Sequence, residues 1–261
     1  MRVFWFELRF NRTALLLWSA AIAFMLGICI VIYPEMSSQM GDINAMFADM
    51  GAFTSAFGMD QLNFGEFMGY FGVECGNVLG LGGALFAAIV GASALAREER
   101  EHTAEFLLTH PISRTRIVTE KLLAVIAQVV LLNVAVVVVC VACILGIGVE
   151  ADAATLALVF LAYLILQLQI AAVTFGLSAF LRRGELAVGL GLAFGLYFVN
   201  ILANLSEDLK FLKYITPFGY ADGAHIIPEK AIELPYLAVG LAIAVLGIAV
   251  AYWRYPRKDI S

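Results

Sequence analysis

Histidines, cysteines, methionines and a dense run of glutamates are where chemistry would be sought first in this chain. His102, His110 and His225 never take the His-Glu-x-x-His spacing that sets two imidazoles around zinc on one helical face. Cys140 and Cys143 stand three positions apart, a spacing that suits a metal or a dithiol. In so Val-rich a stretch they read as small packing residues. Six of the eight methionines, Met36, Met40, Met46, Met50, Met59 and Met68, fall between Pro34 and Glu74. Thioethers suit Cu(I). With no His or Cys joining them before Cys75, they read as an adaptable amphipathic cap. Glu98-Glu99 offers a carboxylate pair, but no arginine follows four residues later. No G-x-S-x-G is present, and none of the five lysines follows a glycine, so there is no Walker A loop. The sequence therefore assigns no catalytic, metal or cofactor residue to this chain.

What remains is the charged run itself, Ala94 to Arg116. On a helix of 3.6 residues per turn, Glu98, Glu101, His102 and Glu105 share one side, with Glu99 beside them. Phe106, Leu107 and Leu108 follow directly, and an apolar triplet flanked by acids suits insertion into a groove on a partner. Pro111 stops the helix, and Ser113 is placed to cap another that starts near Arg114. The expected docking set is Glu98, Glu99, Glu101, Glu105, Leu107, Leu108, Pro111, Ser113 and Arg114.

The rest of the chain explains what such a segment is attached to. Of its 261 residues, 62% are hydrophobic and 14% charged, the composition of an integral membrane protein. Six uncharged runs reach the roughly twenty residues a spanning helix needs: 13–33, 75–96, 122–149, 153–181, 186–206 and 234–253. None alternates as a membrane strand does. The fold class expected is all-α, a single polytopic domain over 1–261 with six transmembrane helices. Residues 1–12 form an interfacial lead-in rich in aromatics and arginine, although its polar residues gather on no clear face. The first apolar run is too long for a cleaved signal peptide.

Basic residues gather at the amino terminus, in 97–121, at Arg182-Arg183 and at the carboxyl terminus. The segment from Glu35 to Glu74 holds six acids and no base. The positive-inside rule then puts both termini and the 97–121 segment in the cytoplasm of a cell-membrane protein, with 34–74 and 207–233 outside. The net charge of −5 comes from those outer loops, and nothing supports nucleic-acid binding. Gly72, Gly76, Gly80, Ala84, Ala88 and Ala92 recur every four residues, a small-xxx-small ridge for close helix packing. Gly191-xxx-Gly195 repeats the device. The membrane amides Gln128, Asn133, Gln167, Gln169, Asn200 and Asn204 read as interhelical hydrogen-bonding groups. No Asp, Glu, Lys, Arg or His lies inside the six runs, which argues against self-powered ion-coupled transport.

Residues 98–118 resemble the cytoplasmic coupling segment of ABC-2 type permeases, E-x-G-T-x-E-x-L-L-x-x-P-[IV]-[ST]-R. Glu105, Leu107, Leu108, Pro111, Ile112, Ser113 and Arg114 match it, and His102 stands where the family commonly has Gly. Thr216-Pro217-Phe218-Gly219-Tyr220-Ala221-Asp222 is similar to the family's outer S-P-F-x-Y-x-D segment. The resemblance implies two permease subunits, as a homodimer or with a paralogue, and separate ABC ATPase subunits that bind ATP and Mg and push the coupling helices. It implies a permease of an ATP-driven exporter, in contact with membrane lipid and with no enzyme activity of its own. A non-pumping anchor or sensor subunit of an ABC-like assembly would carry the same docking helix.

Overall fold

A computed structural model describes residues 2–37, 51, 54, 56, 62, 63, 65–97, 113–181 and 183–258. Among them every regular element is helical. A short α1 (Arg2–Phe10) leads into α2 (Arg12–Ser37). The second long rod is composite: α3 (Phe67–Cys75), a π-helical segment (Gly76–Leu81) and α4 (Gly82–Ser93). Then come α5 (Arg114–Ile147), α6 (Ala153–Ser178), α7 (Glu185–Leu205), a short α8 (Gly223–Glu229) and α9 (Leu234–Arg254). The segment 207–233 is broken into a 3₁₀ turn (Glu207–Tyr214) and α8, and contains no seventh long helix.

Six of these rods are long and apolar enough to cross a membrane. The caps follow from local chemistry. Ser113 accepts a hydrogen bond from Arg116 N (3.3 Å) at the start of α5, and Asp152 accepts one from Ala154 N (3.1 Å) at the start of α6. Gly148 ends α5 at φ 68°, a left-handed turn that favours glycine. At 34 residues α5 is about 50 Å long, more than a bilayer core requires, so its first turns project beyond it.

The α3–α4 rod and α6 are the centre of the bundle. In each, 61% of the apolar window is buried, against 17% in α7 and 11% in α9. α6 packs against α4 and α9, α4 also against α7, and α2 against α5. Successive helices run up and down, which brings α1, the ends of α4 and α6, the start of α5 and the carboxyl terminus to one end.

The small-residue ridge does not serve one neighbour. Steps of four advance roughly 40° around a helix, so a ridge from Gly72 to Ala92 sweeps about half-way round. Gly72 meets Ile227 of α8. A Cβ at Gly76 or Gly80 would lie 3.0 or 2.9 Å from the Tyr163 side chain of α6. Further on, a Cβ at Gly189 of α7 would lie 2.8 Å from Ala88 O and 3.0 Å from Ala92 Cβ. Contact with α6 continues instead through Gly83, against Gln167, and Gly91, where a Cβ would be 2.6 Å from Ala171 O. Within this chain Gly191 and Gly195 meet nothing within 4 Å, and the close approach on α7 is made by Gly189.

Candidate functional site

The charged segment lies between Arg97 and Ser113 in the sequence, and the described structure on both sides of it is unusually rich in buried charge. Glu7 of α1 is 3% exposed, Arg97 4%, Lys121 of α5 fully buried and Glu120 6%. Arg97 Nη2 donates to Glu7 Oε2 in a close ion pair, and Arg97 Nη1 donates to Asn11 Oδ1 at 3.3 Å. Its guanidinium also lies 4.1 Å from the centre of the Phe10 ring. Lys121 Nζ sits 3.0 Å from Glu7 Oε1 and donates to Ala94 O in the turn that follows α4. One carboxylate therefore joins three elements: the amino-terminal helix, the outgoing root of the segment, and the helix it returns to.

Burial alone would raise the Glu7 carboxyl, but Lys121 and Arg97 outweigh it and hold it below the usual glutamate value. Glu7 is thereby kept charged in a dry setting. Next to it, Glu120 Oε2 accepts the backbone N–H groups of Val3 (2.9 Å) and Phe4 (3.3 Å), and its Oε1 accepts from Arg116 Nε (2.9 Å). A carboxylate at the first turn of α1 satisfies donors that a helix start leaves open. α1 is thus fastened along its Val3–Glu7 face, with Trp5, Phe6 and Phe10 outward. The lead-in is an amphipathic helix, where the sequence showed no clear face: its inward polar residue is matched by charges distant in sequence.

The returning root is braced by the carboxyl terminus. Arg114 Nη1 donates to Lys258 O (2.6 Å) and Pro256 O (3.2 Å), and Lys258 Nζ donates to Leu181 O (3.2 Å). The hydroxyls of Thr119 and Tyr252 lie 2.7 Å apart. Ser113 and Arg114, expected in the docking set, here have roles within the chain, as cap and brace. Glu98, Glu99, Glu101, Glu105, Leu107, Leu108 and Pro111 lie outside the described residues, as do His102 and His110.

The opposite end carries a different chemistry. A cavity of about 50 Å³ adjoins the π-helical segment, lined among others by Asn77, Tyr163, Tyr197, Asn200 and Asp222. Tyr197 Oη donates to Asn77 Oδ1 (3.0 Å), and the buried Asn200 Oδ1 has no hydrogen-bond partner among the described residues. Deeper in the bundle, Asn133 Nδ2 donates to Gln167 Oε1 (2.6 Å), and Gln167 Nε2 donates to Leu79 O within the π segment (3.2 Å). Gln169 Oε1 accepts from Tyr220 (2.7 Å). Asn133 and Gln167 therefore bond between helices and Gln169 to the turn before α8, whereas Gln128 Nε2 donates within α5, to Ala124 O (3.0 Å). Among the described residues no group of His, Cys, Asp and Glu is arranged to hold a metal ion. Cys140 is buried, Cys143 half-buried, and both are free thiols.

The sequence showed the segment and missed its roots. In the sequence Glu120-Lys121 only borders the run 122–149, and Glu7 is one acid among aromatics. The signal was available in retrospect: a lone carboxylate in a basic amphipathic stretch needs a partner if its face is buried.

A family model described as ABC-2 family transporter protein matches residues 1–260. Compared with curated proteins, the chain has no significant match. Six membrane-capable helices and a family match over nearly the whole length agree, and the chain belongs to the ABC-2 family of transporter proteins, as a membrane permease component of an ABC transporter.

Proposed function

We propose that this chain is the permease subunit of an ATP-driven exporter in the cytoplasmic membrane. Its termini and the 97–121 segment face the cytoplasm. A separate ABC ATPase, which holds ATP and Mg, docks on that segment. Glu98, Glu99, Glu101 and Glu105 meet the ATPase surface, Leu107 and Leu108 enter its groove, and Pro111 sets the angle of return. The observation that carries this reading is the buried Glu7–Arg97–Lys121 cluster. A lever moves a membrane domain only if its roots are fixed, and here both roots are tied to α1 and α5 by charges removed from water. The functional unit contains a second permease subunit, a copy or a paralogue, and the largely unburied α7 and α9 leave surface for it and for lipid.

Glu105→Lys tests the docking arm, with ATPase co-purification and transport into inverted vesicles as readouts. The variant is expected to lose both, and a compensating acidic substitution on the ATPase to restore them. Unchanged binding and transport in the single variant overturns the reading.

A further inference from the structure

From the outward face of α1 we infer that it is a binding surface for acidic phospholipid, a specificity beyond simple contact with a bilayer. Arg2, Trp5, Phe6 and Arg9 follow the i, i+3, i+4, i+7 spacing of one helical face and line an open groove of about 530 Å³. Trp5 and Phe6 are each 59% exposed. Glu7 is the only acid of α1, and it is turned inward onto Arg97 and Lys121. The outward face is left with Arg2, Arg9 and, just beyond the helix, Arg12, all exposed and with no acid among them. The inward ion cluster therefore makes the outward face purely cationic.

The chemistry of the occupant follows from that pairing. Two guanidinium groups about 10 Å apart along the helix offer forked donors to phosphate oxygens. The two rings between them suit the glycerol and upper acyl region, where aromatic side chains sit. A zwitterionic headgroup brings a cation to the same place, so its attraction to two arginines is weak. A lipid with net negative charge, such as phosphatidylglycerol, meets both the charge and the apolar floor. This inference needs α1 to lie at a membrane surface and does not depend on the ATPase.

Trp18→Phe and Trp253→Phe leave Trp5 as the sole tryptophan in the full chain. Its fluorescence is then followed in phosphatidylcholine vesicles containing a small, equal fraction of acyl-brominated phosphatidylglycerol or acyl-brominated phosphatidylcholine. Quenching by the acidic lipid is expected to be at least about twofold stronger. Added Arg2→Gln and Arg9→Gln changes should abolish that preference, whereas Arg2→Lys and Arg9→Lys, which keep the charge, should retain most of it. Equal quenching by both lipids overturns the proposal, as does a preference that survives the glutamine changes. Quenching by neither lipid overturns it too, since the face would then be covered by protein.

Discussion

The two ends of the bundle are held by different forces. At the end with both termini, buried charges meet: Glu7 with Arg97 and Lys121, Glu120 with Arg116 and the first turn of α1. In the middle the contacts are neutral, amide to amide at Asn133 and Gln167, phenol to amide at Tyr197 and Asn77, glycine against ring at Gly80 and Tyr163, and toward the other end the ion pairs Lys213–Asp222 and Lys230–Asp152 keep some access to water. A buried ion pair adds little net stability, because desolvation offsets the attraction, but losing one partner is costly. Neutral bonds in a membrane average under a kcal/mol each. One end is therefore built to keep its geometry, and the other to exchange contacts at low cost. Under the proposed function, that asymmetry would hold the root of the docking segment fixed while the far end rearranges.

The comparison breaks most readily at Glu7. Glu7→Ala leaves Arg97 and Lys121 buried without their shared carboxylate, which should cost about 3–5 kcal/mol in detergent-solubilised unfolding. A loss under 1 kcal/mol would mean that water reaches the cluster. The same carboxylate sets a pH response. Its value in the fold lies below its ordinary 4.5, so its contribution is complete above that pH and lost as pH falls through the lowered value. Thermal unfolding scanned from neutral to acidic pH should show wild type losing stability below about pH 4.5, toward that of Glu7→Ala.

Close packing comes next. Gly91→Val forces a side chain against Ala171 O and Thr174 and should cost about 1–3 kcal/mol. Gly191→Ala, at a position facing open space, should be neutral or slightly stabilising through helix propensity. A large cost at Gly191 with none at Gly91 would show that the four-residue pattern, and not the observed contacts, governs packing. Smaller still, Gln167→Leu removes the amide link between Asn133 and Leu79 O and should cost about 0.6–1.7 kcal/mol. The smallest effect is expected at Asp152, whose exposed carboxyl is drawn down to about 2 by hydrogen bonds from Lys230, Thr155 and the Ala154 backbone. Asp152→Asn keeps a capping oxygen, and calorimetry should find its melting temperature unchanged.

Much of this architecture could be read from residue types, because spans are long apolar runs and caps are local. Six helices, the Ser113 cap and the broken 207–233 region all follow from neighbours in sequence. The ridge was legible as composition but not as geometry, since a fixed step of four ignores rotation and the π-helical insertion at Gly76–Leu81. The roots of the candidate site were not legible. Glu7, Arg97 and Lys121 are joined only by folding, and a lone carboxylate among aromatics carries no record of which distant cations it meets.

The Arg114 brace has a consequence for biogenesis. Its acceptors are the carbonyls of Pro256 and Lys258, so the bond cannot form until those residues have left the ribosome. All six spans must already have been threaded by then. The return root at Arg114 is consequently braced only after all six rods have been made.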